Sequence, residues 1–391
     1  MALKITGDKA AKRRLRLGMV GGGQGAFIGA VHRMAARLDD RYELVAGALS
    51  SDPRRARASG REIGLPKDRI YTSYAEMAEK ESRREDGIDA VAIVTPNNLH
   101  FGPSKAFLEA GIHVILDKPM TISVKEAVAL EKIVRKSRLV FGLTHTYTGY
   151  PMVRQAREMV AAGLLGKIRM VQVEYPQDWL TTPLEKSGNK QAEWRTDPKR
   201  TGPAGALGDI GTHAYNMACF VTGLRCDSVA ADVDTFVPGR KVDDNVHVLL
   251  RFRGGAKGML WASQVAVGCE NNVTVRVYGE KAGLEWRHES MNYLQFTPYG
   301  ETPQRLSRSG AGSMATAAHA SRVPAGHPEG YIEGFTQLYT DLAEQISAKI
   351  ERRKANPAAL LVPGIQAGLD GMRFIEGVLK SSARNSAWVK L

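Results

Sequence analysis

The rhythm of apolar and polar positions changes once along the chain, near residue 144. Before that point, short apolar runs alternate with stretches of helical spacing. Residues 15–20 form an apolar strand that stops at a glycine-rich turn, and residues 30–38 follow as a helix. Residues 42–49 predict the second strand, and 54–63 and 74–84 predict helices. Residues 88–94 are almost continuously apolar, as a strand covered on both faces of a parallel sheet requires. A helix over 104–110, a strand over 112–116, a helix over 124–136 and a strand over 139–143 complete the alternation. This predicts a doubly wound α/β domain over residues 15–144, expected to hold six strands.

Past residue 144 the pattern differs. Residues 151–162 predict an amphipathic helix and 168–175 a strand, and 179–199 is irregular. An apolar run over 214–221 predicts a buried helix. Strand-like runs then follow one another at 228–236, 245–252, 257–267, 272–278, 283–287 and 293–297 with no helix between them. This predicts a second, α+β domain over residues 145–391, built on an open, mainly antiparallel sheet whose free face meets a partner subunit. Residues 307–328 predict a long loop, and helices over 330–353 and 363–382 are expected to finish the domain.

Composition narrows the function classes. The 391 residues suffice for two domains with their own cores. No apolar stretch is long enough to span a bilayer, and the basic tail over residues 1–14, with Lys9, Lys12, Arg13 and Arg14, lacks the apolar centre of a secretion signal. Cys219, Cys226 and Cys269 form no metal-binding spacing and predict reduced thiols in a cytoplasmic protein with no metal site. The net charge of +13 raises nucleic acid as a partner, but the cations are dispersed. Arg54, Arg55, Arg57 and Arg61, then Arg83 and Arg84, then Arg352, Arg353 and Lys354 stand mostly beside acids at helical spacing, as on a solvated face. Neither nucleic acid nor membrane is expected as a partner.

The chemistry is concentrated at strand ends. Gly21, Gly23 and Ala26 fit G-x-G-x-x-G/A between a strand and a helix, where backbone N–H groups and a helix N-terminus hold a pyrophosphate. The whole turn, with Gln24, Gly25 and Phe27, is therefore a candidate dinucleotide site, and the first domain reads as a Rossmann domain. No acid sits at the tip of the second strand. Ser50, Ser51 and Arg54 suit a 2′-phosphate, while Asp52 could turn back to a ribose, so NAD and NADP both remain open. Thr95, Pro96, Asn97 and His100 follow the third strand, and Asp117-Lys118-Pro119 follows the fourth, all at the edge where open α/β sheets bind ligands. The Lys118-Pro119 bond is expected to be trans, as most X-Pro bonds are. In the second domain, Gly208-Asp209-Ile210-Gly211-Thr212-His213 opens the buried helix. A carboxylate four residues before an imidazole shares its helix face and can fix its ring and stabilise its charged form, as a proton-transfer pair needs. Gly208 and Gly211 leave room for a ligand at the backbone. The alternative is that Asp209 caps the helix and His213 fills space.

Taken in order, the glycine turn, Thr95-Pro96-Asn97 with His100, Asp117-Lys118-Pro119, Trp194-Arg195, Asp209-x-Gly211-x-His213 and Gly326-His327 before Gly330-Tyr331 resemble the Gfo/Idh/MocA family, the group of glucose-fructose oxidoreductase and inositol dehydrogenase. The resemblance implies that Lys118, Asp209 and His213 form the catalytic set, with NAD or NADP as cofactor. It implies hydride transfer at a secondary hydroxyl of a small sugar or polyol, by a homodimer or homotetramer. Tyr147, Arg154, Trp179, Trp194, Arg195, His327 and Tyr331 are candidates for lining the substrate site, the aromatics for sugar C–H faces and the arginines for an acidic group. An NAD-dependent glycosidase, which oxidises a sugar transiently, or a non-catalytic nucleotide and sugar sensor would use the same architecture. The chain departs from the family pattern at Asp117, where Glu is usual, at Asn216, where an acid is frequent, at the second strand's missing acid, and in a longer turn between Gly21 and His32.

Overall fold

The computed structural model describes residues 13–391 and shows two compact units. Lys9 and Lys12 of the basic tail lie outside these residues. Of the described residues, unit 1 contains 13–121, then Lys125–Gly149 and Tyr331–Leu369; unit 2 contains Ile122–Val124, Tyr150–Gly330 and Asp370–Leu391.

The elements of unit 1 begin with β1 (Leu15–Gly21), α1 (Phe27–Leu38), β2 (Tyr42–Ala48), α2 (Pro53–Glu62), α3 (Tyr74–Arg83), β3 (Ala90–Val94), α4 (Phe101–Glu109), β4 (His113–Leu116), α5 (Val124–Ser137) and β5 (Phe141–Leu143). The sheet is parallel, in the order β2-β1-β3-β4-β5. Among the described residues it has five strands, matching the five apolar runs and one fewer than the expected total of six. Between β2 and β3 the chain spends its length on two helices, and only Ile70 reaches the sheet edge, as a single bridge to Gly47. Central β3, AVAIV, is buried at every position. Each buried Val or Ile of this strand stabilises the fold by roughly 1.5–3 kcal/mol. The strand order reverses between β1 and β3, where Gly21 pairs with Val94, so the glycine turn and the Thr95 loop leave the sheet side by side at its switch point. Arg13, at the end of the basic tail, is tied down by paired bonds of 2.7 and 2.8 Å to Asp89.

Unit 2 runs through α6 (Pro151–Ala161), β6 (Ile168–Pro176), α7 (Lys190–Arg195), α8 (Pro198–Thr201), α9 (Thr212–Thr222), β7 (Cys226–Asp234), β8 (Asn245–Phe252), β9 (Lys257–Ser263), β10 (Thr274–Gly279), β11 (Ala282–Arg287), β12 (Tyr293–Pro298), β13 (Gln304–Ser307) and α10 (Ala315–His319). Two helices, α11 (Tyr331–Ile350) and α12 (Ile365–Ser382), and the short β14 (Val389–Lys390) close the chain. The nine strands are ordered β13-β12-β11-β10-β6-β9-β8-β7-β14. β6 and β9 run parallel and their other neighbours antiparallel. Strand β8 alternates buried and exposed residues, so one face of the sheet packs inward, against α9 among others, and the other is open. The irregular stretch before the Asp209 helix contains α7, and the expected loop over 307–328 contains α10.

The C-terminal helices do not all finish the second domain, as the sequence order predicts. Helix α11 returns to unit 1, where Phe335, Leu338, Tyr339, Leu342 and Ile346 join Leu15, Leu17, Met19, Val31 and Ala35 in one core. The approach is close: a Cβ on Gly149 would lie 1.9 Å from the carbonyl oxygen of Gly334. Apolar periodicity marks α11 as a helix but carries no information about which core receives it.

Candidate active site

In unit 1, the glycine turn is shaped by backbone conformations that side chains resist. Gly21, Gly22 and Gly25 have φ of 80°, 72° and 77°. A Cβ on Gly23 would meet the carbonyl oxygen of Leu49 at 2.6 Å and Ser59 Oγ at 2.7 Å. The close strand–helix approach expected at Ala26 is made instead by Gly29, whose added Cβ would lie 2.4 Å from Gly22 Cα. The longer turn thus moves the third position of the fingerprint three residues along. Ala26 becomes the N-cap of α1 without a side-chain acceptor, and no acid lies in the first helical turn. The positive end of the helix dipole is left uncompensated, as a pyrophosphate requires. Gln24 donates from its backbone to Ser59 Oγ and from its side chain to Glu62, while Phe27 is 65% exposed. The turn fits a dinucleotide.

At the tip of β2, Asp52 does not turn back toward a ribose. Its carboxylate accepts from Arg55 N at 2.7 Å and caps α2, with Pro53 at the first helical position. Ser50 Oγ accepts from Asp52 N, and Ser51 and Arg54 are exposed.

Around the ends of β3 and β4, Asp117 accepts from Lys118 N at 2.8 Å and Thr144 Oγ1 at 3.0 Å. The His100 ring bridges Pro119 O at 2.7 Å and Thr95 O at 2.9 Å, fastening the Thr95-Pro96-Asn97 loop to the lysine turn. The Lys118-Pro119 peptide is cis, against expectation. Three buried imidazoles surround this carboxylate and amine. Burial pushes His145 down to about 3, helped by the Lys118 charge and opposed by Asp117. Burial pushes His32 down to about 4, again opposed by Asp117, whose carboxylate is 4.0 Å away. His100 is lowered by burial as well. His32 Nδ1 lies 2.7 Å from the hydroxyl of Tyr339 on α11. Tyr147 is buried in the turn after β5, and Tyr331 opens α11 with its ring edge-on to Phe335.

In unit 2, the helix carrying Asp209 and His213 starts earlier than the apolar run predicts, with a π-helical turn over Leu207–Gly211 that leads into α9. Such turns recur at functional sites. Asp209 does not cap this helix. Its Oδ2 lies 3.3 Å from Arg195 Nε and accepts from Gln264 Nε2 at 2.9 Å. Arg195 is held by Gln191 Oε1 at 2.6 Å and stacks its guanidinium over the Trp194 ring at 4.3 Å and the Trp179 ring at 5.9 Å. The His213 ring is buried, 6.2 Å from the Tyr175 ring. Unit 2 thus gathers Trp179, Trp194, Arg195 and Asp209, with His213 four residues beyond Asp209 and beside Tyr175. Gly211 spends its openness on packing against Leu207 and Ala262, not on a ligand.

Two other candidates are Arg154 and His327. Arg154 is wholly buried in α6. His327 is exposed in a loop whose carbonyl oxygens at Val323, Pro324 and His327 bind the buried Arg308. The sequence reading missed Gln264, Tyr175 and the residue that does cap the Asp209 turn, Asp243. Asp243 and Gln264 sit just outside strand ends among buried positions, and a polar residue there is the one signal that could have marked them.

Residues 15–145 match the oxidoreductase family with an NAD-binding Rossmann fold, and residues 153–285 match the GFO/IDH/MocA C-terminal domain. An oxidoreductase of Sinorhizobium meliloti with a crystal structure is 53% identical over 97% of this chain and 100% of its own, with a TM-score of 0.88. An inositol dehydrogenase homolog of Azotobacter vinelandii, crystallised with NADH and myo-inositol, is 36% identical over 98% of this chain and 99% of its own, with a TM-score of 0.90. The uncharacterized oxidoreductase YfiI of Bacillus subtilis is 33% identical over 99% of this chain and all of its own length.

Proposed function

The chain belongs to the GFO/IDH/MocA family of NAD-binding oxidoreductases, and from that premise we propose that it oxidises a secondary hydroxyl of a neutral sugar or polyol. NAD supplies the hydride acceptor when bound. Lys118 sets its ammonium against the hydroxyl oxygen and stabilises the negative charge that develops there. His213 takes the hydroxyl proton as general base. Asp209 holds the imidazole's charge or a neighbouring substrate hydroxyl.

The observation that carries the neutral substrate is the ion pair of Arg195 with Asp209. Arg195 has its charge met by a carboxylate, and Arg154 has no exposed surface, so neither arginine presents an accessible free cation to an acidic substrate. Trp179 and Trp194, stacked on Arg195, provide flat faces for sugar C–H groups. The myo-inositol bound by the Azotobacter homolog belongs to this class.

The assay is accumulation of reduced nicotinamide from purified protein with NAD or NADP and a panel of myo-inositol, D-glucose, D-xylose and D-glucuronate. A neutral compound is expected to drive it. Turnover of glucuronate alone would sink the neutral reading. Release of an aglycone from aryl glycosides without net reduction would replace the dehydrogenase with a glycosidase.

We further infer a homodimer or homotetramer in the cytoplasm. The open face of the unit 2 sheet exposes Met170, Leu249 and Met259, each by more than half, beside a concavity of about 530 Å³ lined in part by Trp261 and Trp388. A second copy is the occupant proposed for this face. A monomer in sedimentation equilibrium would rule it out.

A further inference from the structure

Asp209 is released from the duty a carboxylate at a helix start ordinarily performs. Three successive backbone amides at that start all donate to one residue, Asp243. Gly205 N reaches its Oδ1 at 2.6 Å, Leu207 N its Oδ2 at 2.7 Å, and Ala206 N its carbonyl oxygen at 2.9 Å. Gly205 has room for nothing more, since a Cβ there would fall 2.1 Å from the same carbonyl oxygen. Asp209 N then begins the helical bonding, donating to Gly205 O at 2.8 Å. With the orphan amides satisfied from outside, the Asp209 side chain is turned to Arg195 and Gln264.

The neighbouring residue fixes the other side of the same carboxylate. Asp244 O accepts from Gln264 N at 2.8 Å, and the Gln264 side chain is the one that binds Asp209. Asp244 is itself anchored by Phe236 N at 2.8 Å, Val237 N at 3.0 Å and Arg240 Nη1 at 3.2 Å. The Arg240 guanidinium, fully buried, also binds Glu185 and Thr182 O. Both the helix that carries Asp209 and the amide that holds it are thus referred to one rigid pair of aspartates between β7 and β8.

We propose that Asp243 is a positioning residue for Asp209, the acid of the acid–imidazole pair. Its carboxylate takes over the capping of the Leu207–Gly211 turn and, together with Asp244, sets the register in which Asp209 meets Gln264 and Arg195. The proposal rests on the reading of Asp209 and His213 as the reacting pair.

The test is a double-mutant cycle with NAD and the best neutral substrate among myo-inositol, D-glucose and D-xylose. Asp243→Asn keeps the side chain's shape and turns an N–H donor toward one of the two amides. Its kcat is expected to fall about 10- to 100-fold, as a misplaced reacting group costs, with NAD affinity within about twofold of the parent. In an Asp209→Asn background, Asp243→Asn is expected to lower kcat by less than about a further twofold, because the side chain it positions is already disabled. If Asp243→Asn does not fold, Asp243→Ser, which keeps one acceptor, is carried through the same cycle. Parental kcat in the single variant, or losses that multiply across the cycle, would overturn the positioning role while leaving the proposed function intact. Parental turnover in Asp209→Asn would instead remove the proposed function, and the inference with it.

Discussion

The parallel sheet of unit 1 and the mixed sheet of unit 2 place their chemistry by opposite means. In unit 1 most candidates stand at a strand end or in the loop directly after it, Gly21 at the end of β1, Ser50 after β2, Thr95 after β3 and Lys118 after β4, with Arg54 on α2 and Tyr331 on α11 among the exceptions. The element that aims the residue adjoins it in sequence. In unit 2 the strands provide a floor, and the proposed reacting pair, Asp209 and His213, stands on a helix start held by residues remote in the chain. Asp243 is 38 residues from the Gly205 amide it binds, and Gln264 is 55 residues from Asp209. A site of the first kind changes when one loop changes. A site of the second kind depends on several segments keeping register at once.

The sharpest way to test that division is to disable one half and measure the other. His213→Ala is expected to lower turnover by about 10²–10⁴-fold while NAD binding, followed by isothermal titration, stays near parental. Loss of NAD affinity in this variant would mean that the halves are not separable.

Acid should divide the units next. Unit 1 buries His32, His100, His113 and His145, with His32 and His113 pushed down to about 4 and His145 to about 3, in each case chiefly by burial. A depressed imidazole contributes stability that is fully present above its ordinary 6.5 and is lost as pH falls through the folded value, so unit 1 should weaken from about pH 6.5 down to about 3. Unit 2 has His288 with the same sign, but Asp243 has the opposite one. Burial raises Asp243 to about 6, outweighing the amides of Leu207 and Gly205, so its contribution is present below about 3.8 and lost as pH rises through about 6. All five tryptophans lie in unit 2, so tryptophan emission follows that unit and far-UV circular dichroism follows both. Ellipticity is expected to fall before emission shifts on acidification, and coincident transitions would break the contrast.

Gly29→Ala is expected to destabilise unit 1 by about 1–3 kcal/mol, because its methyl group meets the Gly22 backbone, and to weaken NAD binding with it. Denaturant melts and NAD titration check both. The smallest effect is Asp52→Ala. Loss of the α2 cap should cost about 1 kcal/mol with NAD affinity unchanged; a weakened affinity would put Asp52 on the ribose after all.

The same contrast governs what the sequence reveals. The alternation through β1 to β5, the glycine turn and the Lys118 strand end could be read directly, because period, turn chemistry and site residues are contiguous there. The shift of close packing from Ala26 to Gly29 could not, since it depends on how a longer turn folds back on β1. Neither could the capture of Asp52 by α2, because an acid before a proline-led helix serves equally as a cap or as a ribose ligand. Asp209 and His213 were visible through their spacing and their glycines. Arg195 and Trp194 were visible through the family resemblance, and Trp179 as an aromatic suited to a sugar's C–H face. Asp243 was not visible at all, because its role exists only once β7 and β8 are paired and their connection meets Gly205.

The return of α11 to unit 1 and of β14 to the edge of the unit 2 sheet has a consequence for biosynthesis. A nascent polypeptide extended only to Gly149 lacks Phe335 and Tyr339, so the apolar flank they cover is bare. Unit 2 in turn waits for β14, which pairs with β7 at the edge of its sheet. A stop codon placed between Gly149 and Tyr331 therefore yields two unfinished cores, and no intact unit survives to be salvaged.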